Sequence, residues 1–193
     1  MNRNRLVSLV AAGWLAGGVI AAAAFQSAPA NQPPRRGYKP FSDPARLFSL
    51  YHPDNWKVIP GVRDVIATLA ESDVKGVVVI ERLVLPEAVP ETLDESFIKV
   101  VLSELRSRQP DVLNVQTSFS AGRPKTWIVN YTRTGINGPE RLRQYTFADG
   151  TLFLRLICIA LEKEFERQRP TFETIATSVR ISSTKVGQTI ERD

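Results

Sequence analysis

The sequence predicts an α/β protein: an α/β/α sandwich with a central antiparallel sheet, preceded by an N-terminal apolar helix. Short apolar runs typical of strands recur through most of the chain. Asn137-Gly138 and Asp149-Gly150 lie between such runs, and these dipeptides favour two-residue hairpin turns. Two further segments carry apolar residues at helical spacing. A sheet that is apolar on both faces needs a covering layer on each, and two helices can supply them.

The N-terminal segment has the pattern of an export or membrane sequence. Arg3 and Arg5 precede 19 uncharged residues, from Leu6 to Ala24. As a helix these would span about 28 Å, close to the thickness of a bilayer core. The positively charged N-terminus, with Arg3 and Arg5, is expected to stay in the cytoplasm, so the remainder is predicted to lie on the periplasmic side. Residues 1–24 are either a cleaved signal peptide, with small-residue sites at 22–24 and 28–30, or a single-pass anchor.

Proline content marks the next boundary. Residues 25–46 contain five prolines and are predicted to be an extended linker. Residues 47–180 form the globular domain, and residues 181–193 are a polar tail. Arg35 and Arg36 lie in the linker, which is either a plain spacer or a segment whose basic residues, with Lys39, contact anionic lipid headgroups or an acidic partner.

Local patterns place the elements of the domain. Thr92 and Glu95 form a capping box that begins one helix, and Pro170 is predicted to begin the last helix at its first position. The expected helix before Pro110 buries Leu93, Phe97 and Leu105 on one face. Strands are predicted at residues 47–51, 56–59, 62–70, 76–85, 112–119, 126–134, 141–148 and 151–161.

Two short motifs resemble the PsbP-like family. The string from Phe48 to Val58, which contains Tyr51-His52-Pro53-Asp54-Asn55-Trp56, is similar to the family's opening strand and its Tyr-Pro-x-Gly-Trp turn. Phe172, Ile175 and Ser178 are similar to the family's closing helix. The sequence departs from the pattern where His52 intervenes before Pro53, where Asn55 replaces glycine and where Val179 replaces an aromatic residue.

This resemblance covers nearly the whole domain, and it implies a binding protein without a catalytic centre. The founding member of the family is an extrinsic subunit of photosystem II on its lumenal side. Trp56 is also predicted to be buried beside the closing helix, because it is large and apolar and follows the turn that starts the fold.

Residue composition argues against several kinds of chemistry. The chain has one histidine, His52, and one cysteine, Cys158, and Cys158 lies within an apolar run. Zinc sites usually need several such ligands, so no metal site is predicted. No nucleotide-binding motif is present, and no cofactor is predicted. A net charge of +5 without a long basic run does not indicate nucleic-acid binding.

Hairpin register suggests one candidate binding site. If Asn137-Gly138 and Asp149-Gly150 are both two-residue turns, Tyr131 lies opposite Gln144, and Gln144 lies opposite Arg155. These three polar residues would form a row on one sheet face, flanked by Trp127 and Phe153. The row is either a buried cluster that satisfies its own hydrogen bonds or a pocket beneath a helix.

Together, these patterns predict a non-catalytic, extracytoplasmic accessory subunit that docks on the outer face of a membrane protein complex. A photosynthetic or other electron-transfer complex would fit by analogy with the family. The alternative is a periplasmic module that binds a small molecule or lipid. The chain is expected to be held at the membrane through Leu6 to Ala24 if that segment is not cleaved, and otherwise to be soluble in the periplasm.

Overall fold

A computed structural model describes residues 36–73, 75–84, 99, 102–103, 105–107, 111–120 and 125–182. These residues form two antiparallel sheets and one complete helix. The strands are β1 (Tyr38–Ser42), β2 (Phe48–Pro53), β3 (Lys57–Pro60), β4 (Val65–Ala70), β5 (Val77–Val84), β6 (Leu113–Ser120), β7 (Lys125–Gly135), β8 (Gly138–Asp149), β9 (Leu152–Leu161) and β10 (Arg180–Ile181). The helix α1 spans Glu162–Thr177.

The larger sheet has seven strands in the order β3-β4-β5-β9-β8-β7-β6, all antiparallel to their neighbours. Sequence-adjacent strands pair as hairpins at both sides, while β5 pairs with β9 in the middle. The middle strands β5 and β9 alternate buried and half-buried residues along most of their length, because both of their faces are covered. The predicted central antiparallel sheet is therefore confirmed.

The two faces of this sheet carry separate hydrophobic clusters. Face A includes Ile80, Tyr145, Leu156 and Cys158, and α1 covers it with Phe165, Phe172 and Ile175. Face B includes Trp127, Val129, Tyr131, Leu142 and Ala148. Residues 99, 102–103 and 105–107 are helical, and Leu102 and Leu105 pack against the face B cluster. Leu105 thus lies on the buried side of its helix, as its spacing predicts.

The smaller sheet corrects two predicted domain boundaries. It has the order β1-β2-β10, so residues assigned to the linker and to the polar tail form strands. In β1, Pro40 can be tolerated because β1 is an edge strand. Phe41 and Ile181 pack against the face A cluster, which explains why these segments are ordered. Burial of one apolar side chain in each segment outweighed the local proline and polar content.

The helix α1 also begins earlier than predicted. It starts at Glu162 directly after β9, and Pro170 lies inside it rather than at its first position. Phe165 is 1% exposed, so burial of an aromatic residue stabilises the turns that precede the proline. Glu162 and Glu164 in the first turn interact favourably with the helix dipole.

Both central hairpins turn one residue away from the predicted position. Gly135 pairs with Gly138, so Ile136 and Asn137 form the turn, and Gly138 closes it at φ +116°. Asp149 pairs with Leu152, and Gly150 is the first central residue at φ +56°. Both glycines adopt a positive φ, which glycine tolerates without steric cost. Because each turn lies one residue from its predicted position, the register of each hairpin shifts by two residues.

Several predictions lie outside the described residues. These are the N-terminal apolar helix, the Thr92 capping box, Arg35 and residues 183–193 of the tail. Within the part of the chain that the structure describes, no helix is long and apolar enough to span a membrane.

Candidate functional site

The predicted polar row is corrected in register but retained on one face. Tyr131 lies opposite Leu142, Gln144 lies between Val129 and Ile157, and Arg155 lies opposite Thr146. The predicted direct pairs were therefore wrong. Because side chains alternate with a period of two, a two-residue shift leaves all three residues on face B. They lie along a diagonal of the sheet rather than across it.

Most polar groups near this diagonal have partners within the chain. Gln144 Nε2 donates a hydrogen bond to Thr146 Oγ1 at 3.1 Å, and both residues are buried. Arg155 Nη2 lies 2.7 Å from Glu81 Oε2, with both side chains about four-fifths buried. These pairs favour the interpretation of a cluster that satisfies its own hydrogen bonds.

Tyr131 is the exception. Its side chain is 1% exposed, and its hydroxyl has no hydrogen-bond partner in the described part of the chain. Burial raises the pKa of Tyr131 to about 12, and the nearby Glu81 also raises it, so the hydroxyl is protonated. A buried hydroxyl without a partner costs about 1–3 kcal/mol, and a bound polar group could recover that cost.

A surface cleft lies at another position. It has a volume of about 420 Å³ and is lined by Asn137, Pro139, Leu161, Glu162 and Lys163. These residues belong to the β7–β8 turn and to the junction of β9 with α1. The cleft does not include the polar diagonal, so the structure does not bring the two features together.

His52 and Cys158 are both buried, but in different surroundings. His52 is 1% exposed, and its Nδ1 lies 2.8 Å from the carbonyl oxygen of Pro53. Burial lowers the pKa of His52, and the charge of Lys39 lowers it further. Cys158 lies on face A with its side chain inaccessible, and burial raises the pKa of its thiol. The predicted burial of Cys158 is confirmed.

The described residues contain no group of three or more histidine, cysteine, aspartate or glutamate side chains placed to hold a metal ion. Asp54, which could have joined His52 as a ligand, is exposed in the turn after β2. Its backbone N–H donates to the carbonyl oxygen of Gly37 at 2.9 Å.

Sequence patterns gave no sign of a buried ion pair between Asp43 and Arg82. Arg82 Nη1 donates to both carboxylate oxygens of Asp43 at 2.6 and 2.7 Å, and the Asp43 side chain is inaccessible. Asp43 Oδ2 also accepts the backbone N–H of Leu47 at 3.1 Å. The pair joins the smaller sheet to β5, and its partners are 39 residues apart, too far for a local pattern to predict.

The two motifs that carry the family resemblance meet in space. The Trp56 ring packs edge-on against Phe172, with ring centroids 6.4 Å apart. The backbone N–H of Tyr51 donates to Ser178 Oγ at 2.8 Å. Trp56 is 4% exposed, so its predicted burial beside the closing helix is confirmed. The opening turn and closing helix are thus two sides of one contact.

Solved structures share the fold of this chain. Cyanobacterial PsbP (CyanoP) from Synechocystis sp. PCC 6803 is 11% identical, with a TM-score of 0.60 over 76% of this chain and 93% of CyanoP. The chain has a PsbP-like fold. A protein of Bacteroides thetaiotaomicron VPI-5482 is also similar, at 11% identity and a TM-score of 0.55 over 77% of this chain and 50% of that one. No family model and no curated protein sequence matches the chain.

The structure of this chain accommodates each departure from the family motif. His52 is accommodated at the end of β2 because its ring is buried and bonded to the adjacent Pro53 carbonyl. Val179 is 5% exposed and joins the face A cluster, so an aliphatic residue fills the place of the closing aromatic residue. Asn55 is exposed in the turn and has no positive φ, so glycine is not required there.

Proposed function

We propose that this protein is a non-catalytic accessory subunit that docks, outside the cytoplasm, on the outer face of a membrane protein complex. The PsbP-like fold carries this proposal, since CyanoP matches 76% of the chain. By analogy with the family's founding member, the complex would be photosynthetic or would transfer electrons. Fold alone does not determine function, so further support must come from the residues.

The N-terminal sequence supports an extracytoplasmic location. Arg3 and Arg5 before the uncharged segment from Leu6 to Ala24 favour export of everything that follows. In the proposal this segment either anchors the domain or is removed. Intact-mass measurement of the protein from its own membranes distinguishes the two: a mass beginning at Met1 indicates an anchor, and loss of about 24 or 30 residues indicates a signal peptide.

The environments of His52 and Cys158 support a role without chemistry. His52 is buried against its neighbour's carbonyl, and the Cys158 thiol is enclosed in the face A core. A nucleophile needs access to substrate and an adjacent base, and these positions provide neither. The proposed activity is therefore contact with another protein.

Co-purification tests the accessory role. The protein, tagged after Asp193, is extracted from its native membranes in mild detergent and separated by size. A stoichiometric complex of defined membrane proteins is expected, and it should persist in a Tyr131→Phe variant, whose only change is a buried hydroxyl. Migration of the protein as a monomer, with no membrane protein in constant ratio, would contradict the proposal.

The second candidate is a module that binds a small molecule or lipid on face B through Tyr131, Gln144 and Arg155. The unpartnered Tyr131 hydroxyl favours it. Native mass spectrometry of the purified protein would then show a bound compound. The Tyr131→Phe variant should retain less of that compound, while a matched Tyr38→Phe variant, changed in the β1 strand, should retain all of it.

A further inference from the structure

Cations in the described part of the chain differ in whether they have an acidic partner. The six arginines from Arg133 to Arg169 all form ion pairs with glutamates, over distances of 2.7–3.1 Å. By contrast, five exposed cations near the N-terminus form no ion pair: Arg36, Lys39, Arg46, Lys57 and Arg63. Lys75 and Arg82 are paired with Asp73 and Asp43, and Lys163 on α1 is exposed without an ion pair among the described residues. The five cations are therefore distinguished by where they lie in the domain, and not by lack of a partner alone.

Three of these unpaired cations surround one turn. Arg36 precedes Gly37, whose carbonyl accepts the N–H of Asp54 at 2.9 Å. Lys39 lies opposite His52, the residue two positions before Asp54, and Lys57 follows Trp56 directly. We call Arg36, Lys39 and Lys57 the basic end. The neighbouring acidic group in this turn is the exposed Asp54, which leaves a net positive charge.

The basic end is also where the chain arrives from its apolar segment. Arg36 is 12 residues after Ala24, the last residue of that segment. The β1–β2 hairpin runs away from this position, and its turn places Arg46 at the far end of the hairpin. The basic end is therefore the part of the described domain that lies nearest, along the chain, to the apolar segment.

We infer that the basic end binds anionic phospholipid headgroups and orients the domain on the extracytoplasmic surface of the membrane that Leu6 to Ala24 would enter. Exposed lysine and arginine side chains attract an anionic bilayer through a potential that extends about one Debye length, roughly 8 Å in physiological salt. Each cation brought near such a surface strengthens binding roughly fivefold. This inference is separate from docking on a protein complex, and it concerns only which end faces the lipid.

Lysine footprinting tests the inference on the full chain. The protein is reconstituted in vesicles of phosphatidylcholine alone or with about one-third phosphatidylglycerol, then acetylated briefly and digested for mass spectrometry. Lys39 and Lys57 should react several-fold more slowly in the anionic vesicles at low salt. Lys163 lies at the start of α1 and serves as the internal control, with an unchanged rate. High salt should remove the protection, because screening shortens the range of the attraction.

A pair of variants separates local charge from total charge. Arg36→Gln/Lys39→Gln should weaken binding to the anionic vesicles by more than tenfold, since two of three cations are lost, and Lys57 should then react about as fast as in phosphatidylcholine vesicles. Arg46→Gln/Arg63→Gln removes the same charge elsewhere and should leave Lys57 protected. Equal reactivity of Lys57 in both kinds of vesicle would overturn the inference. Protection that occurs only in native membranes would do so too, because it would assign the basic end to an acidic protein.

Discussion

The backbone N–H of Tyr51 donates a hydrogen bond to Ser178 Oγ at 2.8 Å, between residues 127 positions apart in the chain. Ser178 Oγ in turn donates to the carbonyl oxygen of Ile175 at 2.7 Å. One serine hydroxyl therefore joins β2 to the C-terminus of α1. Hydroxyl groups can do this because they accept and donate at the same time.

Ser178→Ala should destabilise the protein by about 1–2 kcal/mol, because the Tyr51 N–H would lose its partner in a partly buried position. Urea denaturation measures the free energy of unfolding. Thr177→Ala is the matched control: its hydroxyl bonds only to carbonyls of its own helix and is exposed. Equal losses in the two variants would mean that the Tyr51 bond does not contribute.

Trp56→Ala should cost about 3–5 kcal/mol, as truncation of large buried aromatic residues does. Trp56 is 4% exposed and packs on Phe172, so its removal leaves a cavity between the opening turn and α1. Trp56→Phe, which retains an aromatic ring, should lose less. Thermal unfolding of the three proteins checks the order, and an unchanged melting temperature for Trp56→Ala would contradict it.

Asp43→Ala should destabilise the protein by about 3 kcal/mol, because it leaves Arg82 without its buried partner. Arg82 keeps 24% of its side chain exposed, which places the cost at the lower end for such pairs. Asp73→Asn breaks the exposed ion pair with Lys75 and should cause no measurable change in urea denaturation. If the free energy of unfolding is as little changed in Asp43→Ala as in Asp73→Asn, the Asp43–Arg82 pair is not stabilising.

Stability should fall as the pH is lowered below 6.5, in part because of His52. Burial lowers the pKa of His52 in the folded state below its ordinary value of 6.5, so the unfolded state binds the proton more readily. The contribution of neutral His52 is thus complete above pH 6.5 and is lost as pH falls toward the lowered value. Urea denaturation between pH 7.5 and 5 should show that the free energy of unfolding changes less with pH in His52→Gln than in the wild-type protein. An identical change of unfolding free energy with pH in the two proteins would contradict a lowered pKa for buried His52.

Neither His52 nor Cys158 should be needed for activity. Complementation of a deletion strain with His52→Gln or Cys158→Ala should restore growth or complex function to near the wild-type level. Cys158→Ala should affect only stability, through the small cavity left on face A. If His52→Gln is folded and membrane-associated but inactive, the non-catalytic proposal fails.

Local chemistry predicted much of the fold. Alternating apolar residues located most strands, and Gly138 and Gly150 marked two hairpins, because turn geometry depends on only a few residues. Strand ends and helix starts were less predictable. The start of α1 at Glu162 depends on burial of Phe165 against face A, and that burial is a property of the assembled core.

Part of the candidate site was also predictable. Tyr131, Gln144 and Arg155 share face B because alternation survives any even shift in register. Their exact partners were not predictable, since a one-residue change at each turn moves every pair by two. The docking and lipid-binding roles of Arg35 and Arg36 remain predictions, with Arg36 now placed at the basic end.

The sequence by itself determined the period-two pattern of the strands, the antiparallel hairpins and the meeting of an opening turn with a closing helix. Only the tertiary structure decided that Asp43 pairs with Arg82, that Tyr51 bonds to Ser178, and that Arg36, Lys39 and Lys57 surround one turn. The physical reason is range. Turn and strand preferences arise between neighbouring residues, whereas these contacts form only after distant segments pack around the shared hydrophobic core.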